Sequence, residues 1–217
     1  MPMPTLLIDL DGTLVDSLPA IARALNEVLV ARGLAPLAPR EVARLVGDGV
    51  AVLVRRAFAH YQAEADEPAL AAFRAAYDAD PITGCALYPG AAETLTVLAA
   101  AGWRLALCTN KPGQPARRMI EAFGLGERFV AIGAGDSFPY RKPDPRHLLA
   151  TLAAAGGEPG HAVMLGDHAN DVAAATGAGV AAIFAAWGYG APEMAAGSAA
   201  IAADFPAVPQ LLAGMIR

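Results

Sequence analysis

This 217-residue chain is poor in several features that would tie it to a particular setting. It has two cysteines, Cys85 and Cys108, the second inside an apolar run, which fits reduced thiols in a reducing compartment and not a disulfide framework. No apolar run is long enough to span a bilayer, and Met1-Pro2-Met3-Pro4 has neither the basic region nor the apolar core of a secretory signal. A cytoplasmic protein with no membrane partner is the expectation. Positive charge is also scarce, with 16 Lys plus Arg against 21 Asp plus Glu and a formal net charge of −5. The arginines are scattered, so nucleic acid is not an expected partner. Lysine is scarcest of all: Lys111 and Lys142 are the only two.

What the chain does have is 55% hydrophobic residues, enough for a sizeable core. Short apolar runs followed by helical periodicity recur along it, the pattern of an α/β fold built on a parallel sheet. Strands are expected at 5–8, 103–108, 128–132, 161–165 and 180–184. Helices are expected at 91–101, 115–123, 145–155 and 169–177, with a closing helix near 207–216. One stretch breaks the alternation. Between Leu18 and Tyr77 apolar residues recur at three- and four-residue spacing in segments 18–31, 39–46, 49–60 and 67–79, separated by Gly33, Pro36, Gly47 and Pro68. A helical insertion of residues 16–84 is therefore expected within a core of residues 1–15 and 85–217, with hinges at 15–18 and 81–89.

The candidate chemistry lies where strands end. Asp9 and Asp11 flank Leu10 directly after the first apolar run, and side chains two apart on a strand share a face. Paired carboxylates repel unless a cation or a shared proton intervenes, so the pair calls for a reason beyond turn formation. After the next long strand come Thr109-Asn110-Lys111-Pro112. A hydroxyl and free N–H groups there can cradle phosphate, or they can simply cap the following helix. Both lysines sit beside candidate strand ends, where a compact point charge suits a tight phosphate pocket. Lys142 is stiffened by Pro143 and Pro145, and Asp144 can cap the helix that follows. Finally, Asp167 and Asp171 in Gly166-Asp167-His168-Ala169-Asn170-Asp171 share a helix face, a placement that suits a hard cation such as Mg2+ and equally suits helix capping.

In this order these stretches resemble the haloacid dehalogenase superfamily: DLDGTLVDS at 9–17, Thr109-Asn110, Lys142-Pro143 and GDHAND at 166–171. The resemblance implies a Rossmann-like parallel sheet of order 5-4-1-2-3, with the helical insertion as a C1-type cap and the site at the strand C-termini. It implies that Asp9 is the nucleophile and Asp11 the general acid and base. It places Thr109 and Lys142 on the phosphoryl oxygens, with Asn110 as an auxiliary phosphate contact. Mg2+ would be held by Asp9, the Asp11 carbonyl and Asp167, with Asp171 in support, and one lysine would oppose four acids. His168 stands where a serine is frequent, and is expected to face solvent.

Within the superfamily the details look closest to bacterial phosphoglycolate phosphatases, through Arg44–Val50, Leu53–Ala57 and Gly135–Pro139. The implied activity is Mg2+-dependent hydrolysis of a small phosphate ester, 2-phosphoglycolate first, by a monomer or homodimer. Arg56, with Arg55, is the candidate cap contact for a substrate carboxylate, weighed against a solvated helix face. Phosphatases acting on sugar phosphates, nucleotides or pyrophosphate, and a phosphosugar mutase, stay open. The insertion has no lysine for phosphonate hydrolysis, Asp11 counts against a dehalogenase, and a receiver-type signalling module would be shorter and lack the insertion.

Overall fold

The computed structural model describes residues 3–215. Strand β1, Thr5–Ile8, is buried along its whole length. It is flanked on both sides by parallel partners, β4 (Arg104–Cys108) and β6 (Ala162–Gly166), with Ile8 opposite both Leu107 and Leu165. A strand covered on both faces has to be apolar throughout, which is why Thr5-Leu6-Leu7-Ile8 shows no polar alternation. The sheet continues outward to β5 (Ala131–Gly133) on one side, and through β7 (Ala181–Ala185) to β8 (Ala200–Ala202) on the other. All five pairings are parallel. Strands of this sheet, read from the β7 side, follow the expected order 5-4-1-2-3. The expectation of five strands is corrected by β8, an edge strand of three residues too short to stand out in an Ala/Gly/Pro-rich tail.

Alternation along β1 sorts the two faces. Leu6 and Ile8 pack with helices α5 (Ala91–Ala100), α6 (Gly113–Ala122) and α9 (Val208–Ala213) through Leu95, Leu98, Met119, Ile120 and Leu212. Leu7 packs on the opposite face with Leu148, Leu152 and Val172 of α7 (Pro145–Ala154) and α8 (Ala169–Gly177). The closing helix is shorter than expected, and position 216 lies outside the described residues. The strand expected at 128–132 occupies 131–133, because residues 126–128 close a short 3-10 turn first.

Helices α1 (Leu18–Ala31), α2 (Pro39–Ala43), α3 (Val50–His60) and α4 (Glu67–Ala79) share a hydrophobic cluster of their own, including Leu25, Leu29, Val54, Phe58, Leu70 and Phe73. Helix α2 stops three residues before the expected 46. Gly47 follows with φ +126, a left-handed backbone that ends regular structure. The chain enters and leaves this helical unit through β2 (Val15–Asp16) and β3 (Ala86–Leu87), which pair antiparallel with Val15 opposite Leu87. The segments read as hinges are thus hydrogen-bonded to one another. No helix among the described residues is long and apolar enough to cross a membrane.

Candidate active site

Because β1, β4 and β6 are adjacent and parallel, the residues that follow them meet at one edge of the sheet. The Asp9 backbone N–H donates to Leu165 O, and the Thr109 N–H to Gly133 O, which continues the ladder into the loops. Asp9, Asp167 and Asp171 each bring a carboxylate oxygen to within 4.8 Å of the others, and all three are buried. The Lys142 ammonium donates to Asp171 Oδ1 at 2.6 Å and to Cys108 O at 2.7 Å, and lies 3.1 Å from Asp9 Oδ1. Asp167 accepts from the Thr13 hydroxyl at 2.7 Å and from the Tyr189 N–H at 2.8 Å. Asp171 also accepts the His168 N–H at 3.0 Å, so it caps α8 as well as joining the cluster.

The electrostatics follow from burial with too little positive charge. Burial, then repulsion from Asp9, pushes Asp167 up to about 7. Burial also raises Asp171, with Asp9 and Asp167 adding to it and Lys142 opposing. Burial works against the Lys142 ammonium, but Asp171 and Asp9 outweigh it and its pKa rises. Three buried carboxylates facing one ammonium form a donor set short of positive charge, which is the chemistry of a hard divalent cation site.

Asp11 turns to different partners. It accepts the Ser17 hydroxyl at 2.6 Å and the Lys111 ammonium at 2.7 and 3.0 Å. The expected count of one lysine against four acids is therefore corrected: Lys111 is a second buried cation. It also donates to the Tyr77 hydroxyl of α4 and sits 4.5 Å from the centre of that ring. Burial would lower the Lys111 pKa, yet Asp11 and Tyr77 more than offset it; burial likewise pushes Tyr77 up to about 12. Scarcity of lysine singled out Lys111 in the sequence, but its partner lies 100 residues away.

Thr109 is buried, and its hydroxyl accepts the Lys111 N–H at 3.2 Å. The Asn110 side-chain amide donates to Lys142 O at 2.9 Å and to Gly47 O at 3.1 Å. Asn170 donates to that same Gly47 carbonyl at 2.8 Å. Between sheet and helices lies a cavity of about 50 Å³. Asp9, Asp11, Thr109, Asn110 and Lys111 form one side, and Ile21, Val46, Val50, Leu53, Phe73 and Tyr77 the other. A wider cavity of about 340 Å³ adjoins it beyond Asn110 and Tyr77, with Arg74 and Arg141 in its wall.

A model of the haloacid dehalogenase-like hydrolases matches residues 3–179. The chain is a haloacid dehalogenase-like hydrolase. This hydrolase is 45% identical over 213 residues to a phosphoglycolate phosphatase of Rhodospirillum rubrum, across 94% of its own length and 88% of the relative's. Among solved structures it resembles a predicted phosphoglycolate phosphatase from Haemophilus somnus, with a TM-score of 0.88, 31% identity, and coverage of 96% and 97% of the two chains. It is also similar to CbbY from Rhodobacter sphaeroides in complex with phosphate, with a TM-score of 0.80, 28% identity, and coverage of 94% and 95%.

Other residues of the hydrolase sit where the sequence did not lead. Arg55 and Arg56 do not line the 50 Å³ cavity. Helix α3 buries Leu53, Val54, Ala57 and Phe58 at helical spacing, which turns both arginines outward, and Arg56 pairs with Asp48 at 2.7 Å. The expectation that His168 faces solvent is likewise corrected. Its half-buried ring packs against Gly47, where an added Cβ would approach ring atoms to 2.7 Å, and burial lowers its pKa. Tyr189 went unmarked in the sequence. Its hydroxyl donates to Asp16 at 2.8 Å and accepts the Ser17 and Leu18 N–H groups, which braces the entry to α1.

Proposed function

We propose that this hydrolase is a Mg2+-dependent phosphatase that cleaves a small phosphate monoester, 2-phosphoglycolate, through an aspartyl phosphate on Asp9. The observation that carries the reaction is the gathering of Asp9, Asp167, Asp171 and Lys142 at one sheet edge. The substrate reading rests on the relative named phosphoglycolate phosphatase, 45% identical over 94% of this chain.

The Asp9 carboxylate attacks phosphorus while the bond from phosphorus to the ester oxygen breaks. Asp11 delivers a proton to that departing oxygen, then takes one from the water that attacks the aspartyl phosphate, and the Asp9–phosphorus linkage breaks to release phosphate. Ser17 and Lys111 hold the Asp11 carboxylate in place for both transfers. Thr109, Asn110 and Lys142 bind the phosphoryl oxygens. Asp9, the Asp11 carbonyl and Asp167, with Asp171 in support, would hold a Mg2+ ion, which would supply the positive charge that four acids and a phosphate dianion require. In this reading residues 16–84 are a cap over a core of 1–15 and 85–217, which excludes water from the reacting atoms and moves on the β2–β3 ribbon.

The test is phosphate release from a panel of esters with Mg2+ and with chelator. The fastest release is expected from 2-phosphoglycolate and none in chelator. Metal-independent release, or conversion of a sugar phosphate to its isomer without net release, would overturn the reading.

A further inference from the structure

Lys111 and Tyr77 are built more heavily than a brace for Asp11 requires. Lys111 is a buried cation, and its ammonium is the one positive charge among the described residues lining the small cavity. Opposite it stand Ile21, Leu53 and Phe73, which can solvate no charge. The two lysines differ in how their donors are used. An ammonium has three N–H groups. Those of Lys142 face three groups, Asp9, Asp171 and the Cys108 carbonyl. Those of Lys111 go to both oxygens of one carboxylate, Asp11, at 2.7 and 3.0 Å, and to the Tyr77 hydroxyl, so a second carboxylate can take the longer Asp11 contact while Asp11 keeps the shorter one. The Tyr77 hydroxyl accepts from Lys111, and its own O–H has no acceptor among the described residues. An ammonium and a phenol O–H side by side match the two oxygens of a carboxylate.

We infer that Lys111 and Tyr77 together receive a carboxylate on the leaving group, making the site selective for phosphate esters of short hydroxy acids. This rests on the phosphatase reading, in which Asp11 protonates the departing oxygen, because whatever lies beside Asp11 then faces the leaving group and not the phosphoryl group. The walls point the same way: Ile21, Leu53 and Phe73 close the cavity opposite Lys111 and offer no hydroxyl or amide to the several hydroxyls of a sugar ring. Asp9 and Asp11 line the small cavity and neither lines the wider one, so the reacting phosphate belongs in the small one. The arginines that the sequence offered for this task, Arg55 and Arg56, lie outside the cavity, and Lys111 takes the role from the core side.

Calorimetry of two non-hydrolysable ligands on the Mg2+-loaded full chain tests this without turnover. 3-Phosphonopropionate carries the carboxylate, and n-propylphosphonate has a methyl group in its place. Charge-assisted hydrogen bonds imply that the wild type prefers the first by about tenfold to a hundredfold. That ratio is expected to collapse to within about threefold in Lys111→Met and to drop severalfold in Tyr77→Phe. A ratio preserved in Lys111→Met overturns the inference; if that variant fails to fold, a preserved ratio in Tyr77→Phe does so. Equal wild-type binding of the two phosphonates also overturns it while leaving the phosphatase reading intact. Binding of neither phosphonate by the wild type counts against the phosphatase reading itself and removes the inference with it.

Discussion

The Asn170 side-chain amide donates to the Gly47 carbonyl oxygen at 2.8 Å, joining the first turn of α8 to the loop between α2 and α3 across 123 residues of sequence. Asn110 donates to the same oxygen from the loop after β4. One carbonyl of the helical unit is therefore held by the two core segments that carry the candidate phosphate and metal groups. Asn170→Ala removes one of these ties for about 1 kcal/mol of stability, the usual net worth of such a bond. The expected result is a folded variant whose kcat/KM for phosphate esters falls by about tenfold. Steady-state kinetics alongside a thermal melt check it, and an unchanged kcat/KM would show that the tie has no part in catalysis.

Asp9→Asn keeps the shape of the side chain and removes the carboxylate proposed as nucleophile. Asp9 is buried beside Lys142 and two further acids, so losing one negative charge relieves repulsion, and the fold should tolerate the change. Turnover should fall to background in a phosphate-release assay while the melting temperature holds or rises. Retained Mg2+-dependent turnover would remove Asp9 from the role of nucleophile.

Asp167→Asn separates stability from function. With metal chelated, Asp167 titrates near 7 instead of at its ordinary value, so its charge at pH 8 is a buried strain on the fold. The sign is that of a raised carboxylate: its contribution is full below the ordinary value of 3.8, is lost as pH rises toward 7, and is absent at pH 8. The amide can keep both contacts, because its oxygen can accept the Tyr189 N–H while the Thr13 hydroxyl turns to accept from its nitrogen. In chelator at pH 8 the variant should be more stable than wild type by roughly 1–3 kcal/mol, whereas added Mg2+ should stabilise only the wild type. Urea unfolding with and without Mg2+ reads both effects. Equal stabilisation of both proteins by Mg2+ would rule Asp167 out as a ligand.

Gly12→Ala probes the turn that delivers the aspartate pair. Gly12 has φ +81, and a Cβ there would lie 2.4 Å from Asp167 Oδ2 and 2.8 Å from the Tyr189 ring. Left-handed strain and the clash together should cost about 3 kcal/mol or more and displace Asp167. Denaturant unfolding and Mg2+ titration should both register the loss. A variant with wild-type stability and Mg2+ affinity would mean that the loop rearranges freely.

How much of this could be read from the sequence depends on how local each cause is. Helices α1 and α4 fall where the periodicity placed them, at 18–31 and 67–79, because each has its own apolar stripe and its own start signal. Pro19 opens the first, and Asp66 caps the second by accepting the Ala69 N–H. Strand β1 was legible because a fully buried strand leaves an uninterrupted apolar run. The acids at 9, 167 and 171 could be brought together on paper because parallel strands put their ends on one edge. Partnerships across the fold left no such trace. Lys111 meets Asp11 and Tyr77, Tyr189 braces Ser17, and His168 packs on Gly47 only after helical unit and sheet have docked. The outward turn of Arg56 was available in principle from the spacing of Leu53, Val54, Ala57 and Phe58, which assigns it to the solvated face.

A buried histidine on the far side of the sheet gives the fold its own pH dependence. His147 is fully buried, with Nε2 3.1 Å from Ala134 O and Nδ1 3.6 Å from Cys108 Sγ. Burial pushes the Cys108 thiol up to about 12, so it stays protonated and serves as the donor to Nδ1, while Nε2–H donates to the carbonyl. Both contacts thus need a neutral ring. Burial, then the nearby Lys142, pushes His147 down to about 4. The unfolded chain takes up a proton near pH 6.5, but the folded ring does not until about pH 4. Stability from this group is therefore complete above 6.5 and is lost as pH falls toward 4, by about 2–3 kcal/mol at pH 4.5. Asp167 and Asp171, both raised, contribute with the opposite sign over the same range, so the wild-type slope alone is ambiguous. The comparison with His147→Gln isolates the histidine: between pH 7 and pH 4.5 the wild type should lose about 2–3 kcal/mol more than the variant in urea unfolding. Identical slopes for the two proteins would mean that the ring is already charged in the folded state or hydrated at neutral pH.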